Sequence, residues 1–535
     1  MPSVHSESSL SRRELALGSS FSVSFAVLVL LSVCSAFDPA DFHINGLDGI
    51  LNDQAGYIPA GHWLAEFGVF KEITLSPVYA DNPDFRWYMP GMYFALALSY
   101  KLFGFGVWQS LVPSIIGYVV SVVGTFLLGY RYYGLNKGLL AAFLLAIYPL
   151  NTVWAFTAMA ESSFSAVTIF ALVTIAYCPA VIRPFLMPLL LALPFLFRET
   201  AAALLLPAAW LVARDASHRY PIKAVLAAVA TIPIFYVIYS TWFIDDGSVE
   251  GTMVWMATSS FNYSDATQTP VAFSAIDVLS SLFSNLERNW NSLVYGIIAP
   301  RPLGPQSIGV ITSLALVLSS LIYGLYRGRR DLLPLSAGLA GISVLAALFL
   351  LYDVAGYKLI RHTLFVMPLL LISVVDGLYP SRFIAFIGRK HYSAHGFGAA
   401  VSAATILCLG SWLVTKTLGA DVVAPDAETR LHTEILESLE HDDRTLLVAP
   451  FPISLDYVVR HHPVRWSFVP ANDFTLYKLA SRYDIGTLVI AADKLNRTIT
   501  EETIGDIGLN YERDFEARGS LFSVFVKRLP TDPSR

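Results

Sequence analysis

Apolar residues in this chain fall in long runs broken by short polar turns. A helix crossing the hydrocarbon of a bilayer needs roughly 17 to 25 largely apolar residues. Runs of about that length extend from Phe21 to Phe37, from Val107 to Tyr130, and over residues 138–157, 162–178, 223–243, 306–326, 332–352, 363–379 and 397–418. Two shorter pieces, 184–197 and 200–213, are separated by Arg198 and Glu199. Taken together they predict about eleven crossings.

The charged flanks orient them. Arg12 and Arg13 precede the first run, and later basic turns hold Arg131 to Lys137, then Arg214, Arg219 and Lys223, then Arg327, Arg329 and Arg330, then Arg382, Arg389 and Lys390. Cytoplasmic loops concentrate Lys and Arg, so all of these turns are predicted inside, together with the N-terminus. Only one full crossing then fits between Asp38 and Arg131, and Val107 to Tyr130 is long enough for it. The run from Tyr88 to Phe103, with Pro90 and Gly91 at its start and Lys101 near its end, is left as a re-entrant or interfacial helix. It closes a first outer loop over residues 38–106.

From Asp421 onward the pattern changes to that of a soluble domain. Leu431, Ile435, Leu436 and Leu439 keep helical spacing, and β-rich runs occupy Thr445 to Ala449, Thr487 to Ala491 and Leu521 to Val526. The predicted architecture is a mainly α, polytopic membrane bundle over residues 1–420, followed by a small extracytoplasmic α/β domain over 421–535. There is no repeat of fixed period and no low-complexity segment, which counts against an inverted-repeat transporter.

Composition agrees. With 55% hydrophobic and 14% charged residues and a mean hydropathy of +0.56, the chain cannot hide its apolar surface in one water-soluble core, so the bilayer is part of its solvent. A net charge of -5 offers no basic footprint for nucleic acid, and that partner class is set aside. Cys34, Cys178 and Cys408 each lie in an apolar run and make no disulfide framework. The first run ends in Cys34-Ser35-Ala36, which also resembles the small-residue end of a signal peptide; it is expected to stay as a span in the plasma membrane.

Candidate chemistry gathers on the predicted outer side. The first loop carries Asp38, Asp41, Asp48, Asp53, Glu66, Glu72, Asp81 and Asp84. Asp53 opens an amphipathic helix-like stretch through Leu64, a position that suits either an N-cap or a functional carboxylate. Glu161 stands in a break of a few residues between two apolar helices, where a carboxylate is expensive unless it caps, pairs or works. Arg198 interrupts another apolar run beside Glu199, either as a local pair or as a site cation. Lys358 and Arg361 sit in a predicted outer turn against the positive-inside bias, as phosphate binders or as snorkelling side chains. His62 and Glu66 have helical i, i+4 spacing with no further ligands, too little for a zinc site. The sequons Asn262-Tyr263-Ser264 and Asn496-Arg497-Thr498 decide nothing.

In order, these features resemble the glycosyltransferase C superfamily, in particular the branch of protein O-mannosyltransferases and lipid A aminoarabinose transferases. Asp53 and Tyr57 match the acid and the Tyr four positions later that open its first outer helix. Met89-Pro90-Gly91 through Leu102-Phe103-Gly104, the basic turn Arg131 to Lys137, the second acid Glu161, the cation Arg198, and Lys358 and Arg361 before Pro368 follow in the family's order. Three positions depart: Gln54 replaces the Glu of the usual Asp-Glu pair, the second acid is Glu rather than Asp, and Met89 stands where the lipid A branch has Lys.

The resemblance implies a GT-C-like membrane enzyme that moves a sugar from a polyprenyl-phosphate carrier to a glycan, lipid or protein acceptor at the extracytoplasmic face, with inversion. Asp53 and Glu161 would be its catalytic carboxylates, and Tyr57, Arg198, Lys358 and Arg361 its substrate-binding residues. No cofactor is required by this reading, although two carboxylates also suit Mg²⁺ or Mn²⁺. The competing readings are a lipid or sugar transporter and a receptor that displays the C-terminal domain.

Overall fold

The computed structural model describes residues 12–36, 53–68, 70, 89–214, 221–243 and 364–378, and in the C-terminal part 445–448, 465–467, 476–477, 480, 485–491, 495, 499–517 and 520–527. The expected spans at 306–326, 332–352 and 397–418 lie outside the described residues, as do Lys358 and Arg361.

The membrane part is helical: α1 (Arg12–Ala36), α2 (Asp53–Phe67), α3 (Pro90–Phe103), α4 (Val107–Tyr133), α5 (Leu135–Ala146), α6 (Pro149–Ala155), α7 (Ala160–Tyr177), α8 (Arg183–Phe195), a 3₁₀ segment (Glu199–Leu204), α9 (Leu205–Arg214), α10 (Pro221–Phe243) and α11 (Met367–Leu378). Among the described residues, stretches of α1, α4, α7 and α10 are long and apolar enough to cross a membrane. The chain is a multi-pass membrane protein. The run predicted at 138–157 is divided into α5 and α6, because Pro149 disfavours helical backbone at Tyr148 and starts a new helix.

Small residues set the central contact. Without a hydrophobic driving force between helices in lipid, close backbone approach has to supply the packing. Gly117 of α4 lies against α7 so closely that a Cβ there would stand 2.7 Å from the Ser162 carbonyl. Ser163 Oγ donates to the Pro113 carbonyl at 3.1 Å, and Ser114 Oγ to that of Met159 at 3.2 Å. Pro113 has no N–H for the Gln109 carbonyl one turn back. Ser99 of α3 donates to that carbonyl instead, at 2.6 Å.

α2 and α3 run parallel. Tyr57 meets Tyr93 with ring centroids 5.2 Å apart, Gly61 abuts Leu96, and Lys101 Nζ donates to the Ala65 carbonyl at 3.3 Å, so position rises together along both helices. Burial of α2 grades along its length rather than around it: Gly56 to Gly61 are buried, Glu66 and Phe67 exposed. This departs from the amphipathic pattern expected for a helix lying on a surface, because the first turns of α2 are enclosed by α3 and the segment before α7.

In the C-terminal part, β1 (Thr445–Val448), β2 (Arg465–Ser467), β3 (Thr487–Ala491), β4 (Asn510–Ala517) and β5 (Ser520–Val526) form a sheet of order β2-β1-β3-β5-β4. β1 pairs in parallel with β2 and β3, whereas β5 is antiparallel to β3 and β4. The short helix α12 (Glu501–Asp506) is capped by Thr500, whose hydroxyl accepts from the Thr503 N–H at 3.3 Å. Leu488, Ile490, Ile504 and Phe525 belong to the core beneath.

Candidate active site

The site is built where helices begin. Met159 precedes α7 in extended conformation, which puts Glu161 in the first turn rather than at the cap. Pro188 and Pro194 lie within α8, and its continuation ends at Arg198, whose backbone is extended (φ -156°). That break points the two chain segments at one another: Arg198 Nη2 donates to Glu161 Oε1 at 2.5 Å across 37 residues of sequence. The Glu161 side chain is fully buried and that of Arg198 is 9% exposed. Charges desolvated to this degree persist only when paired, and removing one partner typically costs about 3–5 kcal/mol.

Two tethers bring α2 and α3 to this pair. The Gly91 N–H, at the start of α3, donates to the Leu196 carbonyl at 2.7 Å. A Cβ on Gly91 would collide with the Phe197 ring, so only glycine allows this approach. At the start of α2, buried Gln54 accepts a 2.8 Å hydrogen bond from the Ala158 N–H, three residues before Glu161. The N-terminal ends of α2, α3 and α7 therefore converge near one ion pair. Each helix start is the positive end of its helix dipole, which favours an anion.

Of the residues singled out in the sequence, the structure brings Glu161 and Arg198 into contact and sets Asp53 at the first position of α2, beside tethered Gln54. Tyr57 is buried against Tyr93 at the α2–α3 seam. Lys358 and Arg361 lie outside the described residues. His62 Nε2 is 3.5 Å from Glu66 Oε2, and its ring packs 4.0 Å from that of Phe105. Burial pulls the His62 pKa below 6.5, partly offset by Glu66. Among the described residues no group of three or more His, Cys, Asp or Glu side chains could hold a metal ion, and Glu161 is already engaged by a guanidinium. Sequence reasoning passed over Gln54, whose only signal was its departure from an Asp-Glu pair, and over Leu196.

The profile of the family described as dolichyl-phosphate-mannose-protein mannosyltransferase matches residues 81–244, the stretch that holds α3, Glu161 and Arg198. Over that stretch the chain resembles the glycosyltransferase C superfamily. ArnT from Cupriavidus metallidurans, in a crystal structure bound to undecaprenyl phosphate, has a similar fold, with a TM-score of 0.56 and 15% identity over 94% of this chain and 97% of that one. The oligosaccharyltransferase of Archaeoglobus fulgidus in its apo form gives 0.55 and 13% identity over 91% of this chain and 70% of its own. Among curated proteins none matches. At such identities the solved structures share the GT-C fold with this chain, and its chemistry has to be argued from its own residues.

Proposed function

We propose that this GT-C protein is a membrane glycosyltransferase that moves a sugar from a polyprenyl-phosphate carrier to an acceptor hydroxyl or amine at the extracytoplasmic face, with inversion. The observation that carries the reading is the buried Glu161–Arg198 pair at the converging starts of α2, α3 and α7. A site of that kind is suited to negative charge that grows during reaction. The family match over residues 81–244 and the fold shared with a protein crystallised with undecaprenyl phosphate support a lipid-phosphate donor.

In the proposed step the acceptor heteroatom attacks the anomeric carbon as the bond from that carbon to the lipid phosphate oxygen breaks. The electron pair leaves with the lipid phosphate. Asp53, at the head of α2, takes the acceptor's proton, a general-base role typically worth about 10²- to 10⁴-fold. Glu161 orients the Arg198 guanidinium, which with Lys358 and Arg361 stabilises the departing phosphate in a water-poor site. In this reading the three cations take the part that a divalent ion plays where the leaving group is a nucleoside diphosphate, and chelation with EDTA is expected to leave turnover intact.

The test uses purified full-length protein, undecaprenyl-phosphate-linked mannose or aminoarabinose as donor, and membranes of a deletion strain as the source of acceptor. Release of undecaprenyl phosphate should depend on the protein and fall by about 10²-fold or more in Asp53→Asn while the thermal transition stays in place. Full turnover in that variant would remove Asp53 from the mechanism.

A further inference from the structure

We infer that Gln54 is a positioning residue that sets the register of the Asp53 helix against the segment carrying Glu161. This rests on the transfer reading above and adds to it the device that places the base. Gln54 is buried, yet it is a long polar side chain on a helix of otherwise mostly apolar buried neighbours. A buried polar group persists where it is hydrogen-bonded. Its Oε1 takes the Ala158 N–H at 2.8 Å, across 104 residues of sequence. Ala158 precedes the first turn of α7, where the N–H has no helical partner behind it.

Consecutive Cα atoms are about 3.8 Å apart, so fixing Gln54 fixes the Asp53 backbone to within that reach of the tether. On the other side Ala158 is three residues from Glu161, which holds Arg198. One hydrogen bond therefore joins the first acid's helix to the second acid's ion pair. α3 supports α2 laterally through Tyr93 and Leu96, but those contacts lie farther along, at Tyr57 and Gly61. Gln54 is tethered in the first turn itself, next to Asp53. Chemistry also explains why an amide serves. Gln and Glu both offer an oxygen acceptor to the Ala158 N–H, and the amide does so without placing another negative charge next to Asp53.

The experiment compares Gln54→Met, which keeps length but has no acceptor for the N–H, with Gln54→Glu, which keeps the acceptor. Two readouts are taken on full-length protein in nanodiscs: amide exchange in a peptide covering residues 155–161, and release of undecaprenyl phosphate from undecaprenyl-phosphate-linked mannose or aminoarabinose. Gln54→Met should lose protection at Ala158 and drop kcat by roughly 10- to 100-fold, as a small misplacement of a reacting group does, with KM for the donor unchanged. Gln54→Glu should recover most of both. Unchanged protection in Gln54→Met overturns the inference, as does a Glu variant as impaired as the Met variant. If wild-type protein releases no lipid phosphate from either donor, the transfer reading fails for those donors, and the exchange arm still decides whether Gln54 holds the two segments together.

Discussion

Two ion pairs mark opposite ends of α4, and they differ in burial and in what surrounds them. Glu161–Arg198 lies beside its early turns, where Gly117 meets Ser162. Lys137–Asp376 lies beside its last turns, where Gly129 meets Gly138 and Ile372, and it joins α5 to α11 at 2.5 Å. The second pair holds two helices side by side: the Lys137 side chain is 20% exposed, with Tyr133 as an aromatic neighbour 5.8 Å from its Nζ. The first is sealed more completely and gathers helix beginnings around it. Ion pairing by itself therefore says little about function here; what surrounds the pair decides.

The largest expected separation comes from cutting each pair on its cationic side. Arg198→Met removes the guanidinium from buried Glu161, which should cost about 3–5 kcal/mol of stability. Beyond that, turnover of the surviving folded protein should fall by roughly 10²- to 10³-fold, the scale of losing one preorganised donor. Lys137→Met should lower the unfolding midpoint, by less because Lys137 is partly exposed, and leave turnover per folded molecule in place. Its stability loss should be recovered in Lys137→Met/Asp376→Leu. Equal losses of turnover at the two ends would erase the distinction, and thermal unfolding measured alongside donor consumption reads both quantities.

A smaller effect tests the framework that holds the first pair. Gly117→Ala forces a methyl against the Ser162 carbonyl, and overpacking of this kind costs about 1–3 kcal/mol. It should lower thermal stability and also turnover, because α7 carries Glu161. Smallest of all is a pH effect at His62. Its pKa is depressed in the folded protein, so the unfolded chain takes up the proton first as pH falls. The stability that neutral His62 contributes is complete above pH 6.5 and is lost as pH drops through the lowered native value. His62→Phe should flatten that acid-side decline in unfolding midpoint.

Several helices were legible in the sequence because bilayer thickness is a coarse constraint on the length of an apolar run. The apolar run from Tyr88 to Phe103 was too short and too poorly flanked for a crossing, and it forms the 14-residue helix α3 beside α2. Asp53 at a helix start and Arg198 at a helix break were visible as polar residues out of place. Contact across sequence was not. Nothing in the local pattern tells that Arg198 reaches Glu161 rather than its neighbour Glu199, since that depends on where α7 and α8 begin and end in space. Nor does it show that α2 and α3 run parallel, or that Gln54 answers a backbone N–H far along the chain. The break at Tyr148 was written in Pro149 but masked by unbroken hydrophobicity on both sides.

The central claim, that the protein consumes a polyprenyl-phosphate-linked sugar at the Glu161–Arg198 end of the bundle, is tested most directly by mass spectrometry of lipid-linked sugars in cells that lack it. One polyprenyl-phosphate sugar should accumulate, return to baseline with the wild-type gene or with Lys137→Met/Asp376→Leu, and remain high with Asp53→Asn or Glu161→Gln expressed at equal level. Pools of lipid-linked sugar unchanged by the deletion, or restored equally by the Asp53 and Glu161 variants, would contradict it.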